Sequence, residues 1–185
     1  IFKNIDQGGN YHWSVYSNTS ATGATGLLYL NLTDGFTATS SRFNNTEPTT
    51  SVITLGNDPT INNSGNDHIA YCWRSVTGYS SIGTYTGNTS STNTINVGFA
   101  PRFLMIKRTD STGNWRMYDR ERDSGNLPQR IDYNLAANSN GAEYDATSGS
   151  TGYAWFSSTG FYFETNQTNS DINANNGTYI YLAIK

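Results

Sequence analysis

Two histidines, one cysteine and a thin scatter of carboxylates have the best claim on catalytic or metal chemistry in this sequence of 185 residues. A hydrolase needs a nucleophile beside a base, two carboxylates at a controlled separation, or ligands at a recognisable metal spacing. None of these patterns is present. His12 and His68 lie in strand-like runs, with neither a Gly-x-Ser-x-Gly turn nor a metal-type partner beside them. Both are expected at the edge of a core. Glu47, Glu143 and Glu164 stand singly among polar residues, so only tertiary folding could bring two of them together. Cys72, within Ile69-Ala70-Tyr71-Cys72-Trp73, has no second cysteine to bond and is expected to be a buried, inert thiol. The expectation is a protein without catalytic residues, cofactor or metal, and not an enzyme.

Binding chemistry is better represented. The stretch Asp119-Arg120-Glu121-Arg122-Asp123 alternates in sign, which is expected of a solvated loop with weak ion pairs. The sharper alternative is that Arg116, Arg120 and Arg122 reach an acidic patch on a neighbouring subunit and set assembly register through bidentate pairs. Aromatic faces stack on sugar C–H surfaces while Asn and Asp read hydroxyls, which makes Tyr11, Trp13, Trp73, Tyr79, Trp115 and Trp155 candidates for a glycan platform. Trp13 and Trp115 recur at matching places in the chain, which favours a core role. Tyr79 and Trp155 are therefore the preferred glycan or partner contacts.

The remaining composition narrows the partners. A net charge of −3 with scattered Lys and Arg leaves no basic surface for a phosphate backbone, so nucleic acid is not an expected partner. No apolar run approaches the roughly 20 residues of a membrane-spanning helix, and no signal-like segment opens the chain, so no membrane insertion is expected. The chain starts without Met inside a strand-like run, as a fragment of a longer protein would. An exposed sheet edge at Ile1 to Ile5 is expected to pair with another chain segment.

The elements that position these residues read as strands. Charged residues make up 14% of the chain, too few for long amphipathic helices, whereas Thr, Val, Ile and aromatics suit a pleated, half-buried surface. Alternation is clearest at His12–Tyr16, Leu27–Leu32 and Ser51–Leu55. Further runs are Ser81–Thr86, Thr94–Phe99, Arg102–Arg108, Trp115–Tyr118, Tyr153–Phe156, Phe161–Glu164 and Thr178–Ile184. Turn formers such as Gly56-Asn57-Asp58-Pro59 and Asn175-Asn176-Gly177 separate them. Only Asp119–Gln129 has the charge density for a helical turn, limited by Gly125 and Pro128. The pattern predicts an all-β chain, an antiparallel β-sandwich with a jelly roll as the leading arrangement.

The chain also repeats itself. Phe2-Lys3-Asn4-Ile5-Asp6, Gly9-Asn10 and Trp13-Ser14-Val15-Tyr16 parallel Ile106-Lys107-Arg108-Thr109-Asp110, Gly113-Asn114 and Trp115-Arg116-Met117-Tyr118. Leu30-Asn31-Leu32 parallels Tyr133-Asn134-Leu135, and Ile61-Asn62 leading to His68–Arg74 parallels Ile172-Asn173 leading to Tyr179–Lys185. Residues 1–75 thus read as the back portion of one β unit and 76–185 as a complete second one, two related halves that can pack as one continuous sandwich. The shared Lys, Asp, Gly-Asn and Trp pattern is expected to be a strand, a tight turn and a return strand, with Asp taking turn amides and Gly supplying positive φ.

The run from Ala70-Tyr71-Cys72-Trp73-Arg74 through Gly78-Tyr79-Ser80-Ser81-Ile82-Gly83-Thr84-Tyr85-Thr86-Gly87-Asn88 resembles a repeat module of marine bacteriophage virion proteins. The likeness continues through Gly98–Trp115 and closes with Ile172-Asn173 and Gly177–Ala183. It departs at Trp73-Arg74, where a more apolar and acidic end is usual. The resemblance implies a structural protein of the tail-fibre kind, with jelly-roll or concanavalin-like segments and no established activity. On that reading the chain is a virion structural and adhesion protein, a tail fibre, spike or capsid-surface module. It would assemble with other virion subunits as a homo-oligomer, bind a host-surface glycan, and sit on the outside of an extracellular particle. A carbohydrate-binding lectin is the alternative, and a polysaccharide depolymerase a more distant one.

Overall fold

In the computed structural model, residues 1–19, 23–123, 127–146 and 152–185 are described. Gly125, expected to limit a helical turn, lies outside them. The strands are β1 (Phe2–Asn4), β2 (Ser14–Val15), β3 (Gly26–Tyr29), β4 (Thr37–Ala38), β5 (His68–Ala70), β6 (Ser80–Thr86), β7 (Asn93–Asn96) and β8 (Phe103–Arg108). They continue with β9 (Arg116–Asp119), β10 (Gln129–Ile131), β11 (Tyr133–Ala136), β12 (Tyr144–Asp145), β13 (Ala154–Phe156), β14 (Gly160–Phe163) and β15 (Thr178–Ile184). A single turn of helix, α1 (Pro59–Asn62), lies between β4 and β5. The chain is an all-β antiparallel sandwich.

Three sheets stack. The five-stranded sheet has order β4-β3-β2-β1-β5, the six-stranded β12-β11-β9-β8-β15-β6, and the four-stranded β10-β13-β14-β7. Successive strand residues face opposite sides, and the chain uses this in the central six-stranded sheet. Tyr179, Tyr181 and Ala183 of β15 join Phe156, Phe161 and Phe163 in the core against the four-stranded sheet. Ile180 of the same strand joins Val15, Leu28 and Trp115 in the core against the five-stranded sheet. Leu27, beside Leu28, turns instead to Phe2, Phe43 and Ile61 on the far side. Tyr85 of β6 lies flat on Tyr179, with ring centroids 4.9 Å apart and planes 9° apart, an offset pair worth roughly 1 kcal/mol beyond its buried area.

The repeated segments adopt the same pairing. Phe2, Lys3 and Asn4 stand opposite Ala70, Ile69 and His68, as Ile106, Lys107 and Arg108 stand opposite Tyr181, Ile180 and Tyr179. Phe2 faces Ser14 as Ile106 faces Arg116. The approach to each final strand is also alike: Asp58 caps Thr60 through its side chain at 2.8 Å, and Asn169 caps Asp171 at 2.9 Å. One parallel moves. Trp13 N–H donates to Asn31 and Trp115 N–H to Asn138, so the place of Leu30-Asn31 is taken by Ala137-Asn138, not by the expected Tyr133-Asn134.

Other expectations also shift. Asp6 and Asp110 do not take amides of their own turns; they accept from Asp67 N–H and Thr178 N–H, at the start of the strand that pairs beside them. Gly9 has φ of 60°, but Gly113 has no positive φ, and its N–H and C=O bind Thr33 and Lys107 instead. Ser51–Leu55 is not a strand. Thr49 closes that segment on itself, its amide giving to the Val52 carbonyl and its hydroxyl accepting the Val52 amide, and no ladder receives it. A helical turn forms at Pro59, because Asp58 supplies the cap and Pro59 the fixed φ of a first helical position; the described residues of 119–129 form none. The edge expected at Ile1 to Ile5 is not free, since β1 is paired with β2 on one side and β5 on the other.

The five-stranded and central sheets are joined by polar bonds as well as by their core. Lys107, with no exposed surface, donates to the Thr33 and Gly113 carbonyls at 2.9 and 2.8 Å. Gly113 N–H reaches Thr33, Phe36 N–H reaches Thr109, and Trp115 Nε1 reaches the Tyr29 carbonyl at 2.8 Å. Burial lowers the Lys107 ammonium to about 8, against the opposing pull of Asp171 and Asp34. Between pH 8 and 10 the unfolded chain therefore holds a proton at this site that the folded chain has released, and stability rises with pH. Above 10 the tyrosines raised by burial, such as Tyr85 and Tyr118, reverse the trend. Thermal unfolding from pH 7.5 to 10 is expected to show this rise in the native chain and a flatter profile in Lys107→Met.

Candidate functional site

The residues singled out for binding fall in three places. Arg116 is internal. Its Nε and Nη2 both lie 2.8 Å from Asp171 Oδ2, its Nη1 donates to Asn134 at 3.0 Å, and its guanidinium sits 4.9 Å from the Tyr144 ring centroid. Asn114 donates twice to the same carboxylate, from N–H at 3.0 Å and Nδ2 at 2.9 Å. Burial raises the Asp171 pKa, but the Asn114 bonds and the Arg116 charge overcome it, and the net shift is downward. Arg116 and Asp171 are both mostly enclosed, so this network ties β9 to the turn before β15.

Arg120 and Arg122 also have intrachain partners. Arg120 donates to Gln129 at 3.1 Å, and Arg122 pairs with Glu143. Arg102 reaches Glu121 at 2.8 Å across an exposed surface, where such a pair is worth well under about 1 kcal/mol. The cluster is thus a set of local ion pairs and hydrogen bonds around the end of β9.

Trp155 stands on the outer face of the four-stranded sheet. Ala154 and Phe156 on either side of it are fully buried, so alternation turns Trp155 away from the core. Register then lays a row across the sheet: Arg130 opposite Trp155, Trp155 opposite Tyr162, Tyr162 opposite Thr94. The Trp155 and Tyr162 rings are 5.7 Å apart and 8° from parallel. Arg130 lies 4.1 Å from the Tyr153 ring centroid and beside Asp132, while Tyr153 donates to Glu164 at 3.1 Å. Trp155 Nε1 is enclosed and finds no acceptor among the described residues. The face combines a flat aromatic pair with a flanking cation and carboxylate, the mixture that reads a sugar ring and its hydroxyls. Sequence reasoning missed Arg130 and Tyr162, although their period-two placement beside buried Ile131, Phe161 and Phe163 was visible.

Tyr79 lies at a different site, the tip of a tight turn closed between Val76 and Ser80, and is 59% exposed. Nearby, Trp13, Tyr71 and Trp73 follow one another with centroids 6.4 and 6.2 Å apart and planes within 27°. Tyr71 and Trp73 border a cleft of about 820 Å³ between the five-stranded and central sheets, floored by Val15, Met105 and Ile180. Trp115 takes the core position expected of both repeated tryptophans, but Trp13 is only partly covered. Cys72, expected inside, is exposed. It lies two residues past the end of β5, where its neighbours Tyr71 and Trp73 are at the surface with it.

The acid–base candidates have structural partners. His12 Nδ1 bonds Asn31 Nδ2 at 2.9 Å, and His68 bonds Asn66 and Asn63, both rings half-buried. Glu47 accepts from Tyr16 and from Ala24 N–H. Among the described residues, no group of three or more His, Cys, Asp and Glu could hold a metal ion, and no helix is long and apolar enough to cross a membrane.

Across its whole length, residues 1–185, the chain matches the family described as Domain of unknown function (DUF7483), and it belongs to that family. No curated protein and no solved structure matches it.

Breaking the enclosed Arg116–Asp171 pair leaves a cation without its counter-charge. Asp171→Asn is expected to lower stability by about 3 kcal/mol at pH 7, the cost typical of a half-broken buried pair, measured by urea unfolding. Because the Asp171 pKa is depressed in the folded chain, its contribution is present above pH 4 and is lost as pH falls below that. The difference between native chain and variant is therefore expected to narrow towards pH 3.

Proposed function

We propose that this chain is a non-catalytic structural and adhesive module of a bacteriophage virion, in a tail fibre, spike or capsid-surface protein. One observation carries the reading. The segments that resemble the phage module, from Ala70 to Asn88, from Gly98 to Trp115 and from Gly177 to Ala183, supply β6, β8 and β15, three adjacent strands of the central sheet. What the resemblance marks is therefore scaffold. Lys107 within it is spent on backbone carbonyls, and Asp171, just before its last segments, on an internal ion pair. A body of this kind suits presentation of its faces to a host or a neighbouring subunit, and repetition on an oligomeric particle multiplies weak contacts without a deep pocket.

A lectin-like role on the same particle has its own support in the outer face bearing Arg130, Trp155 and Tyr162, where a flat apolar surface and charged groups converge. Attachment would then be sugar recognition by the four-stranded sheet, with Tyr79 at a separate contact.

Antibody labelling of purified particles by electron microscopy tests the assignment, with label expected on a fibre, spike or capsid exterior. A chain absent from purified particles contradicts it. For the lectin reading, glycan-array binding by the native chain is expected to fall by about tenfold or more in Trp155→Ala, equivalent to about 1.4 kcal/mol. The unfolding midpoint should barely move, because that side chain lies outside the core. Array binding untouched by the substitution removes the four-stranded face from the argument.

A further inference from the structure

The two matched strand arrangements differ at one edge. In the central sheet β15 has β8 on one side and β6 on the other, pairing with β6 over seven residues from Thr178↔Thr86 to Ile184↔Ser80. In the five-stranded sheet β5 occupies the place of β15, with β1 where β8 would be, and no described strand stands where β6 would be. The correspondence is residue for residue, His68 with Tyr179, Ile69 with Ile180 and Ala70 with Tyr181.

The backbone bonds define what this edge offers. Ile5 N–H donates to the Asp67 carbonyl at 3.0 Å, and Ile1 and Tyr71 exchange two bonds of 2.8 Å. Residues 67, 69 and 71 thus face β1, and the N–H and C=O groups of His68, Ala70 and Cys72 point the other way. Among the described residues no backbone group pairs with them. Their counterparts Tyr179, Tyr181 and Ala183 pair with Tyr85, Gly83 and Ser81 of β6. The outer edge of β6 is covered at its two ends: Ser80 and Val76 exchange two bonds of 2.9 Å, Ile82 N–H donates to Ser75 Oγ, and Asn93 donates to the Thr86 carbonyl. Among the described residues the β5 edge has no such cover, and it lies next to the exposed rings of Tyr71 and Trp73.

We propose that the β5 edge, His68 to Cys72, binds an extended strand of a partner protein by antiparallel sheet extension, the partner carrying the side-chain pattern of Ser80–Thr86. Main-chain bonds to the outward groups of His68, Ala70 and Cys72 hold the strand. Small and hydroxyl side chains fit against the small Ala70, and one aromatic residue stacks on His68 as Tyr85 stacks on Tyr179. A second copy is not the donor, because it could give its own β6 only by breaking a seven-residue ladder and exposing the buried Tyr85. The proposal is independent of the virion assignment, and failure of either leaves the other standing.

The test uses the full chain and a synthetic peptide of the sequence Tyr79–Asn88, followed by calorimetry and amide hydrogen exchange. Saturable one-to-one binding is expected, with exchange at His68, Ala70 and Cys72 slowed by about tenfold or more and Tyr179–Ala183 unchanged. Ala70→Pro removes the outward N–H without touching the ladder to β1 and is expected to abolish binding. A peptide N-methylated at the position of Gly83 is expected to fail in the same way, with the protein unaltered. No binding at about 1 mM peptide, or protection at Tyr179–Ala183 through exchange with β6, overturns the proposal. So does protection of His68–Cys72 by the chain's own dimerisation without peptide.

Discussion

Everything in this fold is arranged around β15, a strand that must be satisfied on two edges and two faces at once. Its seven residues pair with β6 on one side and β8 on the other, so no backbone group along it is left to water. Its side chains alternate between two cores, Tyr179, Tyr181 and Ala183 towards the four-stranded sheet and Ile180 towards the five-stranded one. A strand buried in this way cannot slip by one residue without exchanging the contents of the two cores. The neighbouring elements inherit their register from it.

The polar groups near β15 show how such a body tolerates a sequence poor in aliphatic residues. Tyr85 and Tyr179 fill the core with rings, and their hydroxyls reach the carbonyls of Ile172 and Ser170 at its rim. Asn173 bridges Asn88, Gln167 and Asn93, joining the turn before β15 to the loop after β6. Lys107 is enclosed only because two carbonyls meet its ammonium, and its reward is to hold the Thr33 loop of one sheet against the Gly113 turn of another. Satisfied in this way, buried polar groups specify one arrangement.

The outer faces are where the two matched halves of the pairing pattern diverge. Where the central sheet has β6, the five-stranded sheet has no further strand among the described residues, and Tyr71 and Trp73 stand exposed beside it. Where the central sheet is covered on both sides, the four-stranded sheet shows Trp155, Tyr162 and Arg130 outward. This common interior with differing exteriors is what the proposed role as a presented module would use.

Much of this was legible in the residue pattern. Alternation located β6, β8, β9, β13, β14 and β15 to within a residue or two, because each has one face in a core and short-range turn formers at its ends. The internal repeat aligned Phe2–Asn4 with Ile106–Arg108, and the two segments pair in the same register with β5 and β15, although the loop to Trp13 is two residues longer than that to Trp115. Placement against distant chain was another matter. Ser51–Leu55 alternates as well as any strand yet finds no ladder, Cys72 lies in an apolar run yet is exposed, and Arg116 looks like a surface cation yet is held by Asp171, 55 residues away in sequence. Local pattern decides which segments can be pleated and which side chains share a face, because those depend on bonds a few residues apart. Which edge is paired, which face is covered and which charge is neutralised depend on segments far along the chain, and only the folded structure settles them.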